Sequence, residues 1–268
     1  MRKRVILVAT VIMSVTGGAS TLAGEPHRAP ASSTTSSIIQ STCDELTFTI
    51  STYRTEQPQA LISGDWDKNG TIDIAQADIF LFTSTPVQML LNDGTGSFTF
   101  RTSCSFPFRS ANFDLVVGDF DNDDTLDVVL PHVGTAFPGP NAVRIMKGTS
   151  RSGCIFQYTG FLFATGTDEP RAIAAGDFNT DGLLDVAVVG IASNTAGVLL
   201  NTGPTMSSPI NFDAPIDFTA GSAPRDIATG DFNGDSKLDL AVAASGEDSV
   251  KVFPGWVMGR SHRRSQWR

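Results

Sequence analysis

An all-β fold assembled from repeated small sheets is what this sequence predicts, and three observations predict it. An acidic loop, Gly-Asp-aromatic followed by five residues, an aliphatic and a closing Asp, occurs four times, at Gly64–Asp73, Gly118–Asp127, Gly176–Asp185 and Gly230–Asp239. Its leading aspartates Asp65, Asp119, Asp177 and Asp231 are 54, 58 and 54 residues apart. Short runs of Val, Ile, Leu and Ala flank each loop, and no long run of helix formers interrupts them. A β repeat of this period has the size of one four-stranded blade, so the expected architecture is a β-propeller, partial or truncated, of about four blades with Ca²⁺-binding loops.

The 268 residues, 41% of them hydrophobic, suffice for a packed core. Residues 1–24 read as an export signal: Arg2, Lys3 and Arg4 form a positive start, Val5–Val15 an apolar stretch, and Thr21–Leu22–Ala23 a small-residue region. The apolar stretch is shorter than the roughly 20 residues a membrane span needs, so no membrane insertion is expected once the signal is cleaved. Residues 25–45 are rich in Pro, Ser and Thr and read as a linker. Leu46–Tyr53 alternates and reads as a lone strand opening the repeat region, 46–255.

Within each repeat a short apolar strand precedes the loop, at Ala60–Ser63, Leu115–Val117, Ala172–Ala175 and Ile227–Thr229. A second follows it, at Val128–Leu130, Val186–Val189 and Leu240–Ala244, so each loop joins two strands of one sheet. Third strands are expected at Val87–Leu91, Val143–Met146, Gly197–Leu200 and Val250–Phe253. Asn92–Phe98 (NDGTGSF) is a glycine-rich hairpin turn leading to a fourth. Ile74–Phe82 departs from the pattern, being longer than its equivalents and partly helix-compatible. Residues 256–268 are basic and read as a disordered tail.

Oxygen side chains at alternate positions, with a residue that can turn sharply between them, are what a hard cation requires. Positions 1, 3, 5 and 9 are Asp65, Asp67, Asn69 and Asp73 in the first loop and Asp119, Asp121, Asp123 and Asp127 in the second. They are Asp177, Asn179, Asp181 and Asp185 in the third and Asp231, Asn233, Asp235 and Asp239 in the fourth. The backbone carbonyl of position 7, borne by Thr71, Thr125, Leu183 and Lys237, is the natural fifth oxygen. Position 6 favours positive φ, which suits Gly70 and Gly182, is tolerated by Asp124 and is least natural for Ser236, so the fourth site is expected to be the least well formed.

These positions hold 13 of the 28 acidic residues. Carboxylates so close repel unless a cation neutralises them, and up to four Ca²⁺ are expected. An EF-hand is excluded for the last three loops, because position 12 is Leu130, Val188 or Val242 rather than a bidentate Glu and β-type sequence follows directly. The first, with Gln76 there, is a poor match.

The GDFN-x-D-G-x-x-D-hydrophobic pattern, with the NDGTGSF hairpin, resembles the FG-GAP or VCBS-type repeats of integrin-α-like β-propellers, over about Ala60–Phe253. The resemblance implies Ca²⁺ in the loop between the first two strands of each blade. It also implies seven blades as the usual ring, where this sequence supplies about four.

Net charge is −9, and −12 without the three basic residues of the signal, which argues against nucleic acid and anionic membranes as partners. There is no HExxH, Walker loop, GxSxG or GxGxxG, and the histidines are His27, His132 and His262. Cys43, Cys104 and Cys154 fit no zinc spacing, and one pair could bridge after export. The expected function is that of a secreted or cell-surface, non-catalytic Ca²⁺-binding module for extracellular protein or glycan. Two alternatives stay open: the propeller domain of a polysaccharide-degrading enzyme, with Arg109, Arg144, Arg171 and Arg225 as candidate cleft cations, or a fragment of a larger surface protein.

Overall fold

The computed structural model describes residues 38–40, 47–49, 53, 58–78, 87–102, 113–133, 141–149, 156–206 and 208–255. Every regular element among them is a β-strand, and no helix is long and apolar enough to cross a membrane. The chain divides into two compact units, Met1–Glu56 and Gln57–Arg268. In the first, β1 (Ile38–Gln40) pairs antiparallel with β2 (Thr47–Thr49). The expectation of a lone strand at Leu46–Tyr53 is thus corrected. Its Thr-rich centre finds a β-branched partner, Ile38 and Ile39, inside the stretch read as linker.

The second unit is a succession of antiparallel sheets, each a meander. The first has the order β3 (Pro58–Gly64), β4 (Asp73–Asp78), β5 (Val87–Asn92), β6 (Phe98–Thr102). The second runs β7 (Val116–Gly118), β8 (Asp127–His132), β9 (Ala142–Gly148), β10 (Phe156–Ala164). The third runs β11 (Pro170–Gly176), β12 (Asp185–Gly190), β13 (Thr195–Leu199), β14 (Ile216–Thr219). The fourth has three strands among the described residues: β15 (Pro224–Gly230), β16 (Asp239–Ala244) and β17 (Ser249–Phe253). This is a partial β-propeller of about four blades.

The acidic loops connect the first and second strands of each sheet, in one register throughout. Gly64 pairs with Asp73, Gly118 with Asp127, Gly176 with Asp185 and Gly230 with Asp239. Three of the first strands open on a proline, Pro58, Pro170 and Pro224, and the ladder shifts register just after each. A proline has no N–H to give the ladder, so a strand tolerates it at its first residue or at a bulge.

The helix-compatible stretch after the first loop is corrected as well. Asp73–Asp78 is β4, hydrogen-bonded to β3 on one side and β5 on the other. Two ladders of tertiary pairing override the weak helix preference of Ala and Gln there. Residues 79–82 lie outside the described residues, as do the proposed signal and the basic tail.

The core is not one mass but a series of layers between consecutive sheets. Trp66, Ala75, Ala77, Val87 and Met89 of the first sheet meet Leu115, Val128, Leu130, Met146 and Phe156 of the second. Val116, Phe120, Val129, Val143 and Ile145 of the second meet Ile173, Val186, Val188 and Leu199 of the third. Ala172, Ala174, Ala187, Val189, Ala196 and Val198 of the third face Ile227, Leu240 and Val242 of the fourth. Central strands of the inner sheets are therefore covered on both faces. Every residue of β8 and β12 is buried, which is why they read as continuous apolar runs rather than alternating ones.

The recurring frame of the acidic loop contributes to these layers. Its aromatic packs forward: Trp66 sits edge-on to Phe156 of the second sheet, and Phe120 edge-on to Phe212, ring centroids 6.4 Å apart in both pairs. Its aliphatic packs backward onto the glycine that opens the preceding loop. A Cβ on Gly64 would lie 2.9 Å from Leu126 Cδ1, one on Gly176 2.5 Å from Leu238 Cδ1, and one on Gly118 would collide with Leu184. At these positions the tip of the next sheet's leucine occupies the space a Cβ would take, so a larger residue there would have to displace it.

Candidate metal centres

Each acidic loop is folded by its own carboxylates. The first aspartate bridges the turn with both oxygens. Asp65 accepts the N–H groups of Asn69 and Gly70 at 3.0 and 2.9 Å, and Asp119 those of Asp123 and Asp124 at 3.0 and 2.8 Å. Asp177 accepts those of Asp181 and Gly182, and Asp231 those of Asp235 and Ser236. The side chain at position 5 (Asn69, Asp123, Asp181, Asp235) accepts the N–H of position 7 (Thr71, Thr125, Leu183, Lys237) at 2.7 to 3.0 Å. Asp67, Asn179 and Asn233 at position 3 accept the N–H of position 5.

Backbone geometry follows the same template. Position 6 has positive φ in all four loops: Gly70 84°, Asp124 65°, Gly182 86° and Ser236 66°. Ser236 thus takes up the conformation that its side chain disfavours. Position 4, for which the sequence reading made no such provision, is also left-handed, at Lys68 (58°), Asn122 (56°), Thr180 (58°) and Gly234 (80°). Thr180 is the costly one, since a β-branched side chain crowds that region.

The ninth position has a second task that the spacing did not reveal. Asp73 accepts Trp66 N–H at 3.0 Å on one oxygen and Asn92 N–H at 2.8 Å on the other. Asp127 does the same with Phe120 and Gly148, Asp185 with Phe178 and Asn201, and Asp239 with Phe232 and Gly255. All four carboxylates are buried. Each ties its loop to the backbone at the C-terminal end of the third strand of its sheet, so it fastens the blade independently of any ion. Burial, only partly offset by those N–H donors, pushes Asp127 and Asp185 up to about 7 and raises Asp73 above the usual carboxylate range.

Carboxylates nevertheless converge. Oxygens of Asp65, Asp67 and Asp73 lie within 4.8 Å of one another, and so do those of Asp119, Asp121 and Asp127. Three carboxylate oxygens at this spacing are a donor set for a hard, oxygen-seeking cation. In the second loop Asp121 Oδ1 is buried without a hydrogen-bond donor, an anion-bearing oxygen that a cation would satisfy. The third and fourth loops present Asn179 and Asn233 at position 3, so their carboxylates are Asp177, Asp181 and Asp185, and Asp231, Asp235 and Asp239.

One residue that meets the second loop's carboxylates lies outside the loops altogether. Lys147, at the end of β9, directs its ammonium between Asp121 and Asp123; it ion-pairs with the first and lies 2.6 Å from Oδ2 of the second. Burial works to raise Asp123, but the Lys147 ammonium, with the Thr125 hydroxyl and N–H, holds it below the usual carboxylate value. The residues preceding the ninth aspartate's partner in the other sheets are Leu91, Leu200 and Pro254, so only the second loop carries this cation. The signal was in the sequence, but only an alignment of third strands exposes it. Lys237 of the fourth loop makes a looser approach, 4.0 Å from Asp235, on an exposed surface.

Among the described candidate cleft arginines, Arg171 and Arg225 lie near each other, burial and then the Arg225 charge holding Arg171 below the usual guanidinium value. Arg144 is buried, its Nη2 3.3 Å from His132 Nε2. Burial, helped by the Arg144 charge, pushes His132 down to about 4. Arg171 stacks 4.0 Å over the Phe113 ring, and Arg225 Nε donates to Ser245 Oγ. Arg109, His27, His262 and the three cysteines lie outside the described residues.

A family model described as an FG-GAP-like repeat matches residues 76–130 and 177–242, two spans that contain the second and fourth loops and the third from Asp177 onward. No curated protein matches the chain.

Proposed function

We propose that this chain, which carries FG-GAP-like repeats in a partial β-propeller, is an exported, calcium-binding and non-catalytic module that presents blade surfaces to extracellular protein or glycan. The observation that carries this reading is the convergence of Asp65, Asp67 and Asp73, and of Asp119, Asp121 and Asp127, in loops of one shared geometry. FG-GAP repeats often bind Ca²⁺ and typically serve as binding modules, and the oxygen-only donor set fits that ion. Bound Ca²⁺ would supply positive charge to carboxylates that otherwise repel, with the side chains at positions 1, 3, 5 and 9 and the position-7 carbonyl as its ligands. Because those oxygens converge only in the folded chain, binding there adds to folding stability.

Thermal melting tests the metal. At calcium 100-fold above its dissociation constant each site contributes about 2.7 kcal/mol, so the midpoint is expected to rise by several degrees over that in EDTA. Identical midpoints in EDTA and in millimolar Ca²⁺ would end the calcium reading. For the partner, binding without turnover on a glycan array supports a recognition module, whereas cleavage of a bound polysaccharide would replace it with the enzyme alternative.

A further inference from the structure

Two asparagines are followed directly by glycine, Asn69–Gly70 in the first acidic loop and Asn233–Gly234 in the fourth, and both pairs are exposed. A backbone nitrogen can attack the side-chain carbonyl carbon of an asparagine that precedes it. Glycine, with no Cβ, leaves that nitrogen the least shielded. The asparagine side chain must also swing its carbonyl carbon over the nitrogen, so it has to give up the hydrogen bonds that hold it elsewhere.

The two pairs share the first requirement and differ in the second. In both, the glycine N–H donates to the first aspartate of its loop, Gly70 to Asp65 at 2.9 Å and Gly234 to Asp231 at 2.7 Å. In both, nothing lies within 4 Å of where a glycine Cβ would stand. Asn69, at position 5, is held at both ends of its amide. Its Oδ1 accepts the Thr71 N–H and hydroxyl at 2.7 and 2.5 Å, and its Nδ2 donates to the Asn92 carbonyl at 2.8 Å and to Asp67 Oδ2 at 3.2 Å. Among the described residues the Asn233 side chain, at position 3, makes one hydrogen bond, accepting the Asp235 N–H on Oδ1 at 2.8 Å. That N–H is shared with Asp231 Oδ1 at 3.1 Å, so the Asn233 amide is the looser of the two. The third loop shows what the glycine adds. Asn179 stands at the same position and accepts the Asp181 N–H at 2.9 Å, but Thr180 follows it, and a stiff β-branched side chain shields the nitrogen.

We infer that Asn233 is a site of spontaneous deamidation in the folded protein, and that Asn69, the other Asn–Gly pair, is protected by its own loop. The Gly234 nitrogen bonds to Asn233 Cγ, and the bond from Cγ to the side-chain nitrogen breaks. That nitrogen leaves as ammonia, carrying the proton the Gly234 nitrogen gave up, and a cyclic imide remains. Water then opens the imide. Cleavage at Cγ restores the main chain and leaves an aspartate, whereas cleavage at the main-chain carbonyl leaves an isoaspartate whose backbone is one carbon longer. Either product puts a new carboxylate in the fourth loop, and the aspartate stands at position 3, as Asp67 and Asp121 do in the first and second. The reaction needs water alone, so the inference stands apart from the calcium reading.

Peptide mapping by mass spectrometry tests it, following the replacement of NH₂ by OH in the full chain held at pH 7.5 in EDTA, folded and in concentrated urea. In the folded chain Asn233 is expected to convert at least about tenfold faster than Asn69, which has three more hydrogen bonds to break. It should outpace Asn179 by a similar factor. In urea those bonds are gone, so Asn69 should draw level with Asn233 while Asn179 stays slow. Gly234→Thr, which copies Thr180 of the third loop, should stop the conversion of Asn233 with the circular dichroism unchanged. Equal rates for Asn69 and Asn233 in the folded chain, an Asn233 that stays intact, or undiminished conversion in Gly234→Thr would overturn the inference. Because every sample contains EDTA, such a failure would leave the calcium reading untouched.

Discussion

The first and second acidic loops share a backbone, a register and three converging carboxylates, yet they differ in electrostatic state. The second is the more acidic, with Asp at all four ligand positions where the first has Asn69 at the fifth. It also holds its own cation, Lys147, between Asp121 and Asp123. Leu91 occupies the corresponding place in the first sheet, so that loop has no such counter-charge from its third strand. The extra carboxylate and the lysine offset each other, and the loop motif alone therefore does not rank the sites. A residue 26 and 24 positions from the two carboxylates it meets, delivered by the pleat of the third strand, distinguishes them.

The largest effect should be one the two loops have in common. Asp73→Ala and Asp127→Ala each strip two buried N–H groups of their acceptor, Trp66 and Asn92 in one loop and Phe120 and Gly148 in the other. At about 1–3 kcal/mol for each donor left unpaired, less the relief of removing a buried acid, both variants should lose about 2–4 kcal/mol in urea unfolding in EDTA. If either matched the wild type once calcium was removed, the ninth aspartate would be a metal ligand only, and the fastening role would be lost.

Next in size is a pH dependence whose sign depends on the metal. Asp127 and Asp185 are raised to about 7 and Asp114 to about 6, by burial first, from 3.8. Between about pH 4 and pH 7 the folded chain thus binds more protons at these groups than the unfolded chain does, so stability falls as pH rises through that window. His132, lowered to about 4 from 6.5, acts in the opposite sense over pH 4 to 6.5, one imidazole against three carboxyls. In EDTA the net loss between pH 5 and pH 7.5 should be on the order of 2 kcal/mol. Calcium needs the ionised carboxylates and should flatten or reverse the slope. A metal-free protein that gained stability steadily across this range would contradict the burial argument.

Most of the fold was legible because it repeats. Four copies of one loop located the strands on either side, and the apolar runs Val128–Leu130 and Val186–Val189 fall inside β8 and β12. What escaped notice was either local and atypical or dependent on register. Ile74–Ala77 was ambiguous because Ala and Gln carry no β preference, and only pairing with β3 and β5 decided it. The ninth aspartate's link to Asn92, Gly148, Asn201 and Gly255 spans 16 to 21 residues, beyond any local motif. Lys147 was hidden for the same reason. The left-handed fourth position was missed because Lys68, Asn122 and Thr180 carry no glycine to announce it.

That fourth position supplies the smallest prediction, a comparison of the third loop with the fourth. Thr180 has φ 58° where Gly234 has 80°. Thr180→Gly should stabilise the third loop by about 0.5–1 kcal/mol at most, the relief of strain being partly cancelled by glycine's greater freedom in the unfolded chain. A loss of stability in chemical denaturation would show that the threonine is not strained there.

The difference between the first and second loops is tested most directly by titrating calcium calorimetrically, at pH 7.5, into the wild type and into Lys147→Met. Removing the ammonium from Asp121 and Asp123 frees the carboxylates it occupies. The variant should be less stable than the wild type in EDTA by about 1 kcal/mol, and should bind one calcium about tenfold more tightly, with its other sites unchanged. Absence of calcium binding in both proteins, or an identical isotherm for the two, would contradict the account.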